Sequence, residues 1–188
     1  MSLVLVTAPA VEPITLAEAK LHLRVDHDDE DDLITALIVA ARRQAETFTR
    51  RALVEQTWRL TLDAFPAAPI RLPMGRVSTI SHVKYVDGAG AWQTWAADNY
   101  LADLDSVPAR IVPAYGQSWP SARRQLASVE IRFVAGFGNA AAVPADIKAA
   151  IKLALGDLYE ERSAKSGGSP NLSPVPASLL WPYRIVEF

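Results

Sequence analysis

The sequence contains no cysteine, and this absence narrows the chemistry open to the protein. Without thiols there can be no structural disulfide, no thiolate zinc site and no cysteine nucleophile. Cytosolic synthesis is the expectation that follows. The chain also lacks an excess of either charge, because 19 Lys and Arg stand against 21 Asp and Glu and give a formal net charge of −2. A chain with this balance offers no overall basic field for wrapping nucleic acid.

Long hydrophobic runs are missing as well. No apolar stretch approaches the roughly 20 residues that a helix needs to cross a bilayer. Residues 1–10 are apolar, but they are few, carry no basic residue and include Pro9. They therefore do not fit a secretory signal peptide.

The sequence has no recognisable catalytic motif. Gly136, Phe137 and Gly138 resemble a fragment of a phosphate loop, but the remaining glycines and the lysine are absent, so a turn is the better interpretation. No serine lies in a Gly-x-Ser-x-Gly setting. The sequence therefore predicts no enzymatic activity.

What is present is the composition of a globular protein, with 50% hydrophobic and 21% charged residues. A chain of 188 residues can bury one good core, or one core with an appended subdomain. The five Trp residues are many for this length. Aromatic residues are enriched on surfaces that a partner buries, so these tryptophans favour a protein that makes contacts.

The first fifty residues predict two helices. Thr15 and Glu18 have the spacing of a capping box, which starts a short helix that ends near Val25. Residues 33–48 then carry apolar side chains at three- and four-residue spacing, which predicts a longer amphipathic helix. An acidic run precedes this helix and is interpreted as its start, because carboxylates there are favoured by the helix dipole. The run is Asp26, His27, Asp28, Asp29, Glu30, Asp31 and Asp32.

The middle of the chain changes to a period of two, which is typical of half-buried strands. Six strands are predicted, at residues 54–62, 77–87, 91–95, 100–104, 110–112 and 128–135. We expect them to form a small, mostly antiparallel sandwich or open barrel. Pro144 then opens a further amphipathic helix that runs to about residue 162.

The sequence thus predicts an α+β fold, in which both ends build a helical core around an inserted antiparallel β-rich subdomain. The predicted helical parts are residues 1–52 and 143–165, and the insertion is residues 53–142. Residues 166–188 are expected to be a flexible arm with an apolar tail, because Ser, Gly and Pro precede the last hydrophobic residues. Ordering such a tail costs entropy, so a partner's groove would explain it better than the chain's own core.

The acidic run is the one dense group of potential metal ligands. It has no central glycine and no EF-hand spacing, so a helix start is favoured over a cation site. His22 and His27 have acidic neighbours but no third ligand at metal-binding spacing, and His82 lies alone in a predicted strand. The sequence therefore predicts no metal and no cofactor.

Several segments together resemble the gp6-like and phiE125 gp8-like head–tail connector (adaptor) proteins of long-tailed phages and gene transfer agents. The resemblance covers both helical ends, which are about half of the chain, while the central strands match only in kind. The segments that carry it are residues 13–25, 28–32, 40–46, 143–151, 158–162 and 179–184.

The resemblance implies a structural protein of the virion neck, made in the host cytoplasm. It implies a ring, with a dodecamer as the expected form, that lies beneath the portal protein and extends the DNA channel. The expected partners are the portal protein, further copies of this chain and a downstream stopper or tail-terminator protein. DNA would pass through the lumen without specific binding.

Two groups of residues are candidate contacts under this interpretation. The apolar tail would bind the portal, because large aromatic residues dominate interface energetics. Its candidate residues are Leu179, Leu180, Trp181, Tyr183, Arg184 and Ile185. Opposite charges at the two ends of the long helix would join neighbouring subunits head to tail. The candidate ring contacts are Asp28, Asp29, Asp32, Arg42, Arg43, Arg50 and Arg51.

Two alternatives from other classes stay open at the level of the sequence. One is a small metal-dependent hydrolase that uses the carboxylates from Asp26 to Asp32. The other is a ligand-binding module built on the β-rich insertion.

Overall fold

The computed structural model describes residues 1–160 and 173–186. These residues form four α-helices and two antiparallel sheets with eight strands, which confirms the predicted α+β fold. The chain divides into two compact units. The β unit comprises Met1–Pro9 and Glu55–Gly136, and the helical unit comprises Ala10–Val54 and Phe137–Phe188. Within the described ranges, no helix is long and apolar enough to cross a membrane.

The helical unit contains α1 (Leu16–Leu23), α2 (Asp31–Thr49), α3 (Ala145–Glu160) and α4 (Pro174–Leu180). The predicted capping box starts α1: the Thr15 hydroxyl accepts from the Glu18 amide at 3.2 Å, and the Glu18 carboxylate accepts from the Thr15 amide at 2.9 Å. Both orphan amides at the helix start are therefore satisfied.

The core of the helical unit lies between α2 and α3. Ile34 and Ile38 of α2 and Ile147 and Ile151 of α3 are 3% exposed or less. Leu33, which the sequence analysis placed in the apolar stripe of α2, is 39% exposed instead. Ile34, one position further along the helix, takes the buried place.

α2 starts within the acidic run, as predicted, with Asp31 and Asp32 in its first turn. The helix begins at Asp31, its N-cap is Glu30, and no side chain caps it. Asp28 and Asp29 therefore precede the helix and do not cap it. The Asp28 carboxylate contacts Lys20 of α1 at 2.5 Å, an ion pair eight residues apart that sequence spacing does not reveal.

The β unit contains two sheets. The five-stranded sheet has the order β1-β2-β8-β4-β5, and the three-stranded sheet has the order β3-β7-β6. Every strand pair is antiparallel. The bounds are β1 Ser2–Thr7, β2 Gln56–Leu62, β3 Ile70–Leu72, β4 Val77–Val86, β5 Trp92–Trp95, β6 Tyr100–Asp103, β7 Ala109–Pro113 and β8 Val129–Ala135.

All six predicted strands are present, and β1 and β3 are additional. Because β1 pairs with β2, residues 2–7 belong to the β unit, although the sequence analysis assigned residues 1–52 to the helical core. Neither addition was visible in the sequence. The β1 segment is an apolar run without polar alternation, and β3 has only three residues between Pro69 and Pro73.

Candidate functional site

The C-terminal segment returns to its own helical unit and lies against the end of α2. The amide of Ile185 donates to the carbonyl of Thr49 at 3.0 Å, and Nε of Arg51 donates to the carbonyl of Tyr183 at 2.5 Å. Leu180 is fully buried and belongs to the core of the unit. This packing fixes residues 173–186 on the helical unit.

This geometry corrects the expected apolar tail. Leu180 is 0% exposed and Ile185 is 8% exposed, while Leu179 and Tyr183 pack partly buried against the core. Leu180 and Ile185 are thus buried within the helical unit and are not at the surface of this structure. The expected arm at residues 166–172 lies outside the described residues.

The same segment leaves an aromatic and cationic surface exposed. Trp181 is 60% exposed, and its ring centre lies 6.2 Å from that of Phe48 on α2. The Arg184 guanidinium carbon lies 5.2 Å from the Trp181 ring centre and 5.4 Å from that of Phe48. We call Phe48, Trp181 and Arg184 the aromatic–arginine patch. Its residue types are those that carry most binding energy at protein interfaces.

The aromatic–arginine patch was only partly visible in the sequence. Trp181 and Arg184 were candidate portal contacts, but Phe48 was interpreted as a core residue of α2. No sequence signal connects residues that lie more than 130 positions apart. The patch exists because the C-terminal segment returns to the end of α2.

The acidic candidates for ring contacts are at the surface. Asp28, Asp29 and Asp32 are exposed, and Lys20 contacts both Asp28 and Asp31, at 2.5 and 2.7 Å. The hydrogen bond from Lys20 lowers the pKa of Asp28, and the same bond raises the pKa of Lys20. Part of this negative charge is therefore neutralised within the chain.

The basic candidates separate into two kinds. Arg43 and Arg50 are exposed. Arg42 is 4% exposed and contacts Glu12 and Glu46 at 2.6 Å each. Arg51 is half-buried, and desolvation lowers the pKa of its guanidinium. Arg42 and Arg51 thus serve the fold of the helical unit, whereas Arg43 and Arg50 lie at the surface.

The structure brings no metal site together in the part of the chain that it describes. Across residues 1–160 and 173–186, no group of three or more His, Asp or Glu side chains could hold a metal ion. His27 lies 3.8 Å from the Asp29 carboxylate, and His82 lies 2.9 Å from Glu130. The Asp28 and Asp31 carboxylates that a hydrolase would need accept from Lys20.

A polar network that the sequence did not predict lies on one face of the five-stranded sheet. Glu130 of β8 contacts His82 at 2.9 Å, Arg132 at 3.8 Å and Arg59 at 4.0 Å. Arg59, Arg132 and His82 are cross-strand partners. The buried Nε atoms of Arg59 and Arg132 have no hydrogen-bond partner among the described residues. Two guanidinium groups thus share one carboxylate on a face that strand alternation leaves polar.

The chain is similar to known proteins, in one segment of its sequence and in its whole fold. Residues 13–78 match the phage gp6-like head–tail connector protein family. A chain in the neck of an empty gene transfer agent (GTA) particle with C6 symmetry is 28% identical, with a TM-score of 0.83. A chain in the virion of a native GTA particle is 29% identical, with a TM-score of 0.84. A chain in the neck of a native GTA particle with C12 symmetry is 28% identical, with a TM-score of 0.80.

Each of these three alignments covers 100% of this chain and 97% of the other. No curated protein matches the chain. The family match and the full-length similarity of fold confirm the expected place in the neck of a virion. By the same observations, residues 13–78 resemble the gp6-like head–tail connector proteins, and the whole chain has the fold of the GTA neck and virion chains.

Proposed function

We propose that this protein is a structural, non-enzymatic connector that forms a closed ring beneath the portal of a tailed phage or gene transfer agent. The ring extends the DNA channel and presents its other side to a stopper or tail-terminator protein. The observation that carries this proposal is the full-length similarity to chains in GTA necks with C6 and C12 symmetry. A twelvefold ring satisfies both symmetries.

The aromatic–arginine patch is the surface that we assign to the portal. Trp181 and Arg184 are exposed, and Phe48 holds the indole ring in place, so little side-chain entropy is lost on binding. A rigid aromatic ring beside a guanidinium fits an apolar groove with a carboxylate or carbonyl oxygens at its rim.

Ring contacts are assigned to the exposed members of the predicted set, except Asp28, which pairs with Lys20 of its own chain. Asp29 and Asp32 supply negative charge before and at the start of α2, and Arg43 and Arg50 supply positive charge toward its end. A head-to-tail interface requires two different surfaces on each copy, and a helix with opposite charges at its ends provides such a pair. Neither the hydrolase nor the ligand-binding module has a specific observation in its favour.

The portal assignment is tested with two exposed aromatic residues. Trp181→Ala should weaken binding to the cognate portal protein at least thirtyfold, because truncation of a hot-spot aromatic costs about 2 kcal/mol or more. Tyr115→Ala is the matched control, since Tyr115 is a fully exposed aromatic residue of the β unit. Binding is measured by interferometry, and native mass spectrometry counts the copies on each portal ring. Equal loss in both variants, or in neither, would contradict the assignment.

A further inference from the structure

Strand β1 leaves one edge of the five-stranded sheet open and apolar. Among the described residues it pairs only with β2. Val4, Leu5 and Val6 are 40%, 38% and 41% exposed, and no residue of Ser2–Thr7 is charged. Soluble proteins usually protect such edges with charges, prolines or a covering element, because an open edge pairs with other chains. Within the described residues, β1 has none of these protections, and its one irregularity is a shift of register between Leu5 and Thr7 in its pairing with β2.

The opposite edge of the same sheet has the same character. In the described part of the chain, β5 pairs only with β4. Its four residues are uncharged, and Trp92 is 52% exposed. The edges of the three-stranded sheet are different, because β3 carries Arg71 between two prolines and β6 ends at Asp103. Charge and proline protect that second sheet, so the five-stranded sheet is the one left to pair.

A cyclic ring needs two different complementary surfaces on each copy. The five-stranded sheet supplies these two surfaces, because its edge strands β1 and β5 are both open. We propose that β1 of one copy pairs with β5 of the next, so that the five-stranded sheets join into a continuous belt around the ring. This inference rests on the proposed function, because it adds a second seam, the β1–β5 strand pair, to the charged contacts of α2 proposed between copies of the ring.

The topology fixes the direction of the new strand pair. Four antiparallel pairings separate β1 from β5, so the two strands point the same way within one copy. A rotation about the ring axis preserves the direction of a strand relative to that axis. β1 and the β5 of its neighbour therefore meet as parallel strands.

The side chains at the seam are complementary. Val4 lies opposite Arg59, and Thr94 lies opposite Lys84, so both belong to the polar face that carries Glu130. Trp92 follows the same alternation as Thr94 and projects on that face. The indole ring of one copy can then cover Val4 of the next, and aromatic and β-branched residues are favourable cross-strand neighbours. Pairing removes both open edges from solvent.

Disulfide trapping tests the seam directly, because the natural chain has no cysteine. The double variant Val4→Cys/Thr94→Cys is assembled on portal rings and oxidised. We expect a ladder of covalent multimers up to the full ring on non-reducing gels. The matched control is Arg71→Cys/Leu101→Cys, which places cysteines on the two edges of the three-stranded sheet. The control should remain monomeric on the gel.

A ladder from the control pair, or from neither pair, would overturn the β1–β5 seam. The mass of the wild-type assembly shows whether a negative result contradicts the seam alone or the proposed function as well. A closed ring without a ladder leaves the proposed function standing and removes the seam. If the wild-type protein forms no ring with the portal, both the proposed function and the β1–β5 seam are contradicted.

A second pair of variants tests the seam without cross-links. Val4→Lys/Val6→Lys adds the charges that protect ordinary strand edges, and we expect ring assembly to require at least tenfold more protein. Val11→Lys is the control, because Val11 is 53% exposed and lies in the helical unit. Circular dichroism checks the fold of both. Unchanged assembly of a folded double-lysine variant would contradict the seam.

Discussion

The charge pattern of α2 made Arg42 a candidate ring contact, but its side chain is buried and forms ion pairs within the helical unit. Its Nε donates to Glu12 and its Nη1 to Glu46, each at 2.6 Å, and Glu46 also accepts from the Leu53 amide at 3.0 Å. The guanidinium is therefore part of the structure of the helical unit. Reversing the charges of Arg42 and Arg43 together would report on folding as well as on assembly.

We predict that Arg42→Met lowers the free energy of unfolding by about 3–5 kcal/mol, because it leaves two carboxylates without their buried counter-charge. Arg43→Met is the matched control, since Arg43 is exposed on the same helix, and it should change stability by about 0.5 kcal/mol or less. Urea unfolding followed by circular dichroism measures both. Similar midpoints for the two variants would mean that the ion pairs contribute little.

Asp103 gives the β unit a predictable response to acid. Its carboxylate accepts from the Ser106 hydroxyl and from Arg110, each at 2.5 Å, and these bonds lower its pKa from 3.8 to about 2. A carboxyl whose pKa is depressed by folding stabilises the protein above the unfolded value and loses that effect as the pH falls through the folded value.

We therefore predict that wild-type stability declines between about pH 4 and pH 2 and that Asp103→Asn flattens this part of the profile. The control is Asp105→Asn, which makes the same charge change at an exposed residue two positions away. The melting temperature is measured at half-unit steps of pH. Parallel profiles for wild type and Asp103→Asn would show that the network does not couple to folding.

At the scale of elements, local signals in the sequence predicted more than distant ones. The capping box of α1 is a three-residue pattern, and strand alternation needs only five or six residues, so both were readable. The acidic run also marked the start of α2, but the ion pair between Asp28 and Lys20 of α1 could not be read from residue spacing. β1 also escaped prediction, since its partner β2 lies more than 50 residues away.

The burial of the C-terminal segment could be predicted from its residue types, but the surface that buries it could not, because that surface is distant in sequence. Its residue types indicated burial, but the sequence could not say whether a partner or the chain itself buries them. Leu180 is fully buried in the core of the helical unit, whereas Trp181, the next residue, is 60% exposed. Adjacent residues thus belong to the fold and to the candidate interface respectively.

These two residues give a prediction with an internal control. Leu180→Ala should destabilise the protein by about 2–5 kcal/mol, because it leaves a cavity in the core. Trp181→Ala should cost about 0.5–1.5 kcal/mol, which is the usual value of an aromatic pair such as that with Phe48. Thermal and urea unfolding of both variants check the order. A larger cost at Trp181 would show that the patch mainly stabilises the fold.

At the scale of the whole molecule, the resemblance to head–tail connectors and the α+β class could be predicted, whereas most contact surfaces could not. The helical ends carry the family resemblance in short segments. The aromatic–arginine patch and the two open sheet edges arise from chain topology. It brings Phe48 to Trp181 and leaves one edge each of β1 and β5 without a partner strand among the described residues. Residue spacing contains no direct record of such long-range placement.

Charge at the same scale predicts how the protein treats DNA. In the proposed ring the DNA duplex must slide through the lumen, and strong phosphate contacts would hold it in place. The net charge of −2 disfavours such contacts, although Arg59, Arg132 and Lys84 share one face of the sheet with Glu130 as the acidic member of that group. The net charge of the molecule thus disfavours DNA binding, whereas the basic side chains on this face of the sheet favour it.

We predict that the whole-molecule charge prevails at physiological salt. The purified protein should bind a 30-base-pair duplex no more tightly than about 10⁻⁴ M, the weak end of non-specific binding. The comparison is Glu130→Gln, which removes the carboxylate between Arg59 and Arg132 and should strengthen binding at low salt. Fluorescence anisotropy in 50 and 200 mM salt measures both proteins. Micromolar wild-type binding that weakens steeply with salt would mean that the sheet face grips DNA, and the sliding role would then belong to another surface.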